Sequence, residues 1–289
     1  MPKDFTLSTY RQLLVTIVQA GYTIFTFEDW CVDKVQGRCV ILRHDVDMKA
    51  NNSLVTARIE AEMGIRASYY FRVVPQSNIP SIIKEIAALG HEIGYHYEDL
   101  SLFKGDTENA IKHFEQQLNY FRQFYPVRTI CMHGSPASKW DNRDLWKTYN
   151  YQDFGLIGEP YFDLLNNNSV DDIVYFTDTA RMWDGDKYNV RDKLLTINKP
   201  NQKSPTDFSA NRVNQSDLKP TSKDNANLKT HTTFDVINWM KTNQYQNLIM
   251  ITTHPQRWTD NSCQWYFELL KQKVKNFVKK FIVISKTDY

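Results

Sequence analysis

Apolar residues along the first half of the chain follow two alternating rhythms. Tyr10, Leu13, Leu14, Ile17 and Val18 share one helical face, and Gly21 supplies a stop. The stretch CVILRHDVD (39–47) is a short β-branched run that ends abruptly in charge. Val55, Ile59 and Met63 then recur every four residues before Gly64, and ASYYFRVV (67–74) reads as a strand. Ile79, Ile82, Ile83, Ile86 and Leu89 make the next helical face, with Pro80 near its start and Gly90 after its end. EIGYH (92–96) is again strand-like. Ala110, Ile111, Phe114, Leu118 and Phe121 predict a long helix that Pro126 closes off, and RTICMH (128–133) returns to the strand pattern. Further on, DIVYFTD (172–178) and NLIMITTH (247–254) predict strands, residues 262–280 an amphipathic helix, and FIVIS (281–285) a last strand.

Strands alternating with helices in this way predict βαβ units, a parallel sheet and an α/β fold. Residues 190–230 break the rhythm: they are rich in Asn, Lys, Ser, Asp and Pro, which suits a long surface excursion or a lid. A length of 289 residues fits one large barrel or two small domains, and no linker separates two cores, so a single domain over 1–289 is expected. Hydrophobic residues at 42% exclude a disordered chain.

The net charge of +2 gives no electrostatic argument for binding nucleic acid or a membrane. There is no apolar run of transmembrane length, and membrane insertion is not expected. The N-terminal MPKDFTLSTYRQLL lacks the basic start, apolar stretch and cleavage site of a secretory signal, and Cys31, Cys39, Cys131 and Cys263 form no CxxC pair. Reduced thiols in a cytoplasmic protein are expected.

The polar residues change the picture. In parallel α/β folds, ligands bind at the carboxyl ends of the strands. The predicted strands here end in His44, Asp45 and Asp47; in His96, followed by Glu98 and Asp99; in His133; in Asp178; and in His254. Imidazoles and carboxylates converging on one rim suit a divalent metal and an acid–base pair. His91 begins its strand on the opposite rim and is expected to be structural. His113, in a helix, is expected to be solvated, and His231 carries no assignment. Asp45 and Asp47, two residues apart on an extended chain, point to the same side and can divide metal ligation from base catalysis. His96 suits a neutral imidazole ligand. His254, fixed by Pro255, suits a separate acid.

These residues carry a resemblance. LRHDVD (42–47), GHEIGYH (90–96) and MITTHP (250–255) are similar, in this order, to the first, second and last motifs of the polysaccharide deacetylases of carbohydrate esterase family 4, and the resemblance spans roughly residues 38–260. It implies a distorted, incomplete (β/α) barrel. Asp45 then matches the catalytic base, Asp47 the metal-binding Asp, His96 the first metal-binding His and His254 the catalytic acid. Zinc or another divalent metal would serve the hydrolysis of an acetyl group, usually from an N-acetylated sugar. FTDTARMW (176–183) stands in for the fourth motif, with Asp178, Arg181 and Trp183 orienting base or substrate. Backbone N–H groups near Gly134 and Ser135 would stabilise an oxyanion.

The departure is Leu100, which occupies the place of the second metal histidine. His133, Asp99 and Glu98 are the substitutes, and His133 is favoured because its strand end matches the third motif and imidazole suits zinc. The aromatic and polar stretches KWDNRDLW (139–146) and GEPYF (158–162) suit either a sugar site or buried core. With no export signal, an intracellular glycan precursor, sugar nucleotide or small amide is the expected substrate. A metal-free carbohydrate-binding barrel and a hydrolase of non-sugar amides remain the alternatives.

Overall fold

In the computed structural model, the described residues are 3–33, 35, 37–134, 138–165, 173–184, 230–243 and 247–287, with side chains of the last helix described as far as Phe277. The polar excursion near 190–230 and the candidate Ser135 lie outside them.

The strands are β1 (Thr23–Phe25), β2 (Cys39–Val46), β3 (Ser68–Phe71), β4 (Glu92–Tyr97), β5 (Ile130–Met132), β6 (Ile173–Thr177) and β7 (Leu248–Thr253). Every pairing is parallel. The order is β5-β4-β3-β2-β7-β6, and β1 runs beside the first half of β2. The sheet curls into a half-barrel, the incomplete α/β barrel that the strand–helix alternation predicts. The helices are α1 (Leu7–Gln19), α2 (Phe27–Asp33), α3 (Ala50–Glu62), α4 (Pro80–Ala88), α5 (Asp99–Leu102), α6 (Thr107–Phe121), α7 (Thr233–Thr242) and α8 (Ser262–Thr287).

Local chemistry sets the ends. Thr6 Oγ1 accepts from Thr9 N at 3.1 Å to cap α1, Asp106 Oδ1 accepts from Asn109 N at 3.1 Å to cap α6, and Thr232 with Asp235 forms a capping box on α7. Gly90, at φ +92°, takes the left-handed turn after α4 that leads into β4.

All eight residues of β2 are buried, because the helices cover one face and the barrel interior the other. Alternation then sorts its polar end. Arg43 and Asp45 turn inward, while His44 turns to the helices, where its Nε2 meets Glu60 of α3 at 2.8 Å. His44 therefore shares the rim with Asp45 but not its site. His91 fills the structural role its position suggests: Nδ1 accepts from Ala67 N at 3.1 Å, and Nε2 donates to Ala57 O at 2.9 Å.

Three expectations need correction. Residues 281–285 continue α8 instead of forming a strand; no Gly or Pro interrupts Ser262–Thr287, and propagating an existing helix costs less than starting a new element. His113 is not simply solvated, since its Nδ1 pairs with the buried Asp99. On α3, Val55 is exposed and the buried face carries Ser53, Thr56 and Glu60 with Leu54, Ala57 and Ile59.

Gly94, inside β4, is needed for space. A Cβ there would collide with the ring of Tyr70 and come within 3.0 Å of Thr129 O. Gly94→Ala is expected to cost about 1–3 kcal/mol, read as a lower midpoint in urea unfolding.

Candidate metal centre

Asp47 follows β2, His96 lies in β4 and His133 follows β5, so three strand ends deliver one group. A carboxylate oxygen of Asp47 and one nitrogen from each histidine lie within 4.8 Å of one another. His96 Nε2 is 3.7 Å and His133 Nε2 3.5 Å from Asp47 Oδ1, a buried oxygen with no hydrogen-bond partner. Gln256 Nε2 holds the other carboxylate oxygen at 3.1 Å.

The outer contacts fix both rings. His96 Nδ1 is 2.9 Å from Cys131 O, which can only accept, so Nδ1 carries the proton and Nε2 presents a lone pair to Asp47. His133 Nδ1 donates to Glu98 Oε2 at 2.9 Å, and Arg72 holds Glu98 from the far side with Nη2 at 2.7 Å. Burial pushes the Glu98 carboxyl up, but His133 and Arg72 bring it down to about 2. Burial drives the His96 imidazole down to about 4 against the pull of Asp45, so the ring is neutral at neutral pH. Burial raises the Asp47 carboxyl, and the three histidines around it outweigh that and lower it.

Two ring nitrogens and one carboxylate oxygen, with an oxygen lacking any partner, fit a divalent ion held by three protein ligands with a position left open. The Asp47 and His133 side chains are 18% and 15% exposed, against 2% for His96, so the open side faces outward. A second group, Asp45, His96 and Cys131, is equally close. It fits a metal less well, because Arg43 already binds both Asp45 oxygens, Nε at 2.8 Å and Nη2 at 2.7 Å.

Of His133, Asp99 and Glu98, His133 is the one whose free nitrogen faces Asp47. Glu98 stands behind it. Asp99 is turned away and accepts from Tyr95 and His113. Leu100 is buried in α5 as part of the core.

Asp45 and His254 flank the group. Asp45 Oδ2 is 3.8 Å from His96 Nε2, and His254 Nε2 is 3.9 Å from Asp47 Oδ2. Burial raises the Asp45 carboxyl, but Arg43 and then His96 hold it well below the ordinary range. His254 donates from Nδ1 to Asp178 Oδ1 at 2.6 Å. Asp178 is fully buried and also accepts from Arg257 Nη1 at 2.6 Å, Trp258 Nε1 at 3.0 Å and His254 N at 3.1 Å. Burial and Arg257 press the His254 imidazole down, yet Asp178 and Asp47 leave it raised.

Arg181 and Trp183 sit elsewhere. Arg181 Nη1 donates to Trp265 O at 3.1 Å, with its guanidinium over the Trp265 ring. Trp183 Nε1 donates to Thr233 Oγ1 at 2.9 Å, and its ring packs with Phe5 and Trp258 in the core. The stretches 139–146 and 158–162 place Tyr161 under Arg43 and Arg143 and Trp146 among Tyr97, Phe114 and Tyr151. Arg43, not Arg181, is the arginine that binds Asp45. The signal for it was present: Arg43 shares strand parity with Asp45. Gln256, Arg257 and Trp258 carried no comparable signal.

Glu98→Gln is expected to weaken metal binding by about 10–100-fold, because the acceptor that raises the basicity of His133 loses its charge. Zinc competition with a chromogenic chelator reads this directly.

Fold and site together define an α/β half-barrel with a candidate metal centre at the carboxyl ends of its strands. No family model matches the chain, and no curated protein matches it.

Proposed function

We propose that the protein is a metal-dependent hydrolase that removes an acetyl group from a carbohydrate or glycan precursor, with zinc as its ion. The observation that carries this reading is Asp47 Oδ1, a buried oxygen without a partner that two tautomer-locked imidazoles face. The resemblance to carbohydrate esterase family 4 supplies the reaction class, and the charge pairs on either side supply its acid and base.

A divalent ion held by Asp47, His96 and His133 would acidify a water and polarise the acetyl carbonyl. Asp45 takes the proton from that water. Arg43 fixes both of its oxygens and keeps it ionised, so Asp45 is a weak base suited to a water already acidified. The water oxygen bonds to the carbonyl carbon, and the bond from that carbon to the sugar nitrogen or oxygen breaks. His254 gives its Nε2 proton to the departing atom, while Asp178 holds Nδ1 and keeps the ring in that orientation. Acetate and the deacetylated sugar leave.

Elemental analysis of the purified protein is expected to find about one divalent ion per chain, and a His96→Ala, His133→Ala variant to lose it. Acetate release from N-acetylated sugars and sugar nucleotides is expected from the first protein only. A chain that carries no metal and takes up none on dialysis against zinc would remove this reading.

A further inference from the structure

α8 presents its polar side to the protein and its apolar side outward. Trp265 Nε1 donates to Asp4 O at 2.6 Å, Glu268 pairs with Lys49, and Asn276 Nδ2 donates to Ala180 O at 3.2 Å. These positions lie along one side of a helix with 3.6 residues per turn. The opposite side carries Tyr266, Phe267, Leu270 and Val274, exposed by 59%, 64%, 65% and 57% among the described residues. In the sequence the same spacing runs on to Phe277, Phe281 and Ile284. A continuous exposed stripe of this kind marks a surface that something covers.

The charges on the helix select the cover. Ser262–Thr287 contains six lysines and one glutamate, and that glutamate already faces Lys49. Lys271 and Lys273 border the stripe on its two margins. Against a second copy of the same helix, these margins bring lysine to lysine, which disfavours pairing. An anionic surface neutralises both margins at once. The near-zero charge of the whole chain conceals this local excess.

We propose that α8 lies in the interface of an anionic lipid bilayer, with Tyr266, Phe267, Leu270 and Val274 at the acyl boundary and the lysines among the headgroups. Aromatic and aliphatic residues on one face, with lysines beside them, are the composition of helices that lie in this plane. Among the described residues no helix is long and apolar enough to cross a membrane, so the contact is peripheral.

Co-sedimentation of the full chain with vesicles tests this. Vesicles of roughly three parts phosphatidylcholine to one part phosphatidylglycerol are expected to bind it at least about tenfold more tightly than phosphatidylcholine alone, and raised salt to weaken the binding. Leu270→Glu with Val274→Glu is expected to abolish the binding and to leave the unfolding transition in place, since both side chains are exposed. Lys271→Glu with Lys273→Glu is expected to remove the preference for anionic vesicles. No binding to either vesicle, or equal binding to both, would overturn the proposal. So would a concentration-dependent dimer that Leu270→Glu with Val274→Glu dissociates, which would assign the face to a second copy.

Discussion

Replacing Asp45 with Asn is expected to lower turnover by about 10²–10⁴-fold while the metal stays bound, because the proposed mechanism gives Asp45 the water proton and leaves metal binding to Asp47, His96 and His133. Asn keeps the shape and one acceptor oxygen, so the site should hold its geometry. The competing effect is on stability. Arg43 is fully buried and donates to Asp45 through two nitrogens, and stripping a charged partner from such a pair costs about 3–5 kcal/mol. Turnover must therefore be measured per folded molecule, with metal content as the control. Arg43→Lys separates the two roles further. It keeps a positive charge but loses the planar fork that fixes both Asp45 oxygens. It is expected to lower kcat with metal retained and KM little changed. Full turnover by metal-loaded Asp45→Asn would move proton transfer to another group.

The fold was legible in the sequence wherever one period governed a segment. Apolar residues three and four apart marked α1, α4 and α6, and the strand-like runs at 39–47, 92–96 and 247–254 marked β2, β4 and β7. The parallel half-barrel follows from their alternation. The failures have physical causes. On α3 the buried face is partly polar, so apolar spacing pointed to Val55 instead of Glu60. At 281–285, local β-propensity yielded to the helix already running into it.

The site was legible as strand ends, since period two sends Asp45 inward and a strand end brings His133 beside His96. Its supporting residues were harder to read. Arg181 and Trp183 follow β6 closely in sequence, but the turn through Ala180 and Arg181, both at positive φ, carries them toward α8 and the core. The grip on Asp178 comes instead from Arg257 and Trp258, brought there by the short helical turn after His254. Contacts made through tertiary packing leave no periodic trace.

Glu60→Ala is expected to lower unfolding stability by about 3–5 kcal/mol. Glu60 has no exposed surface. It accepts from Tyr69 Oη at 2.8 Å, from His44 Nε2 at 2.8 Å and from the Tyr10 hydroxyl. Burial and then Glu60 itself push both phenols up, so they remain donors, and Ala removes the acceptor that three buried donors share. His44 also accepts from Thr253 Oγ1 at 2.6 Å. Asp45 follows His44 in the chain and His254 follows Thr253, so the network ties together the two strand ends that carry Asp45 and His254. Glu60→Gln keeps the volume but turns one acceptor into a donor, and a smaller loss is expected. The sign with pH follows from the carboxyl. Burial raises it, yet His44 and Tyr10 hold it below its ordinary 4.5, so its stabilisation is complete above that value and disappears as pH falls through the lower folded value. Urea unfolding of wild type and Glu60→Gln should therefore converge in acid and diverge toward neutrality. A gap that stays constant across that range would show that Glu60 acts by its shape and not by its charge.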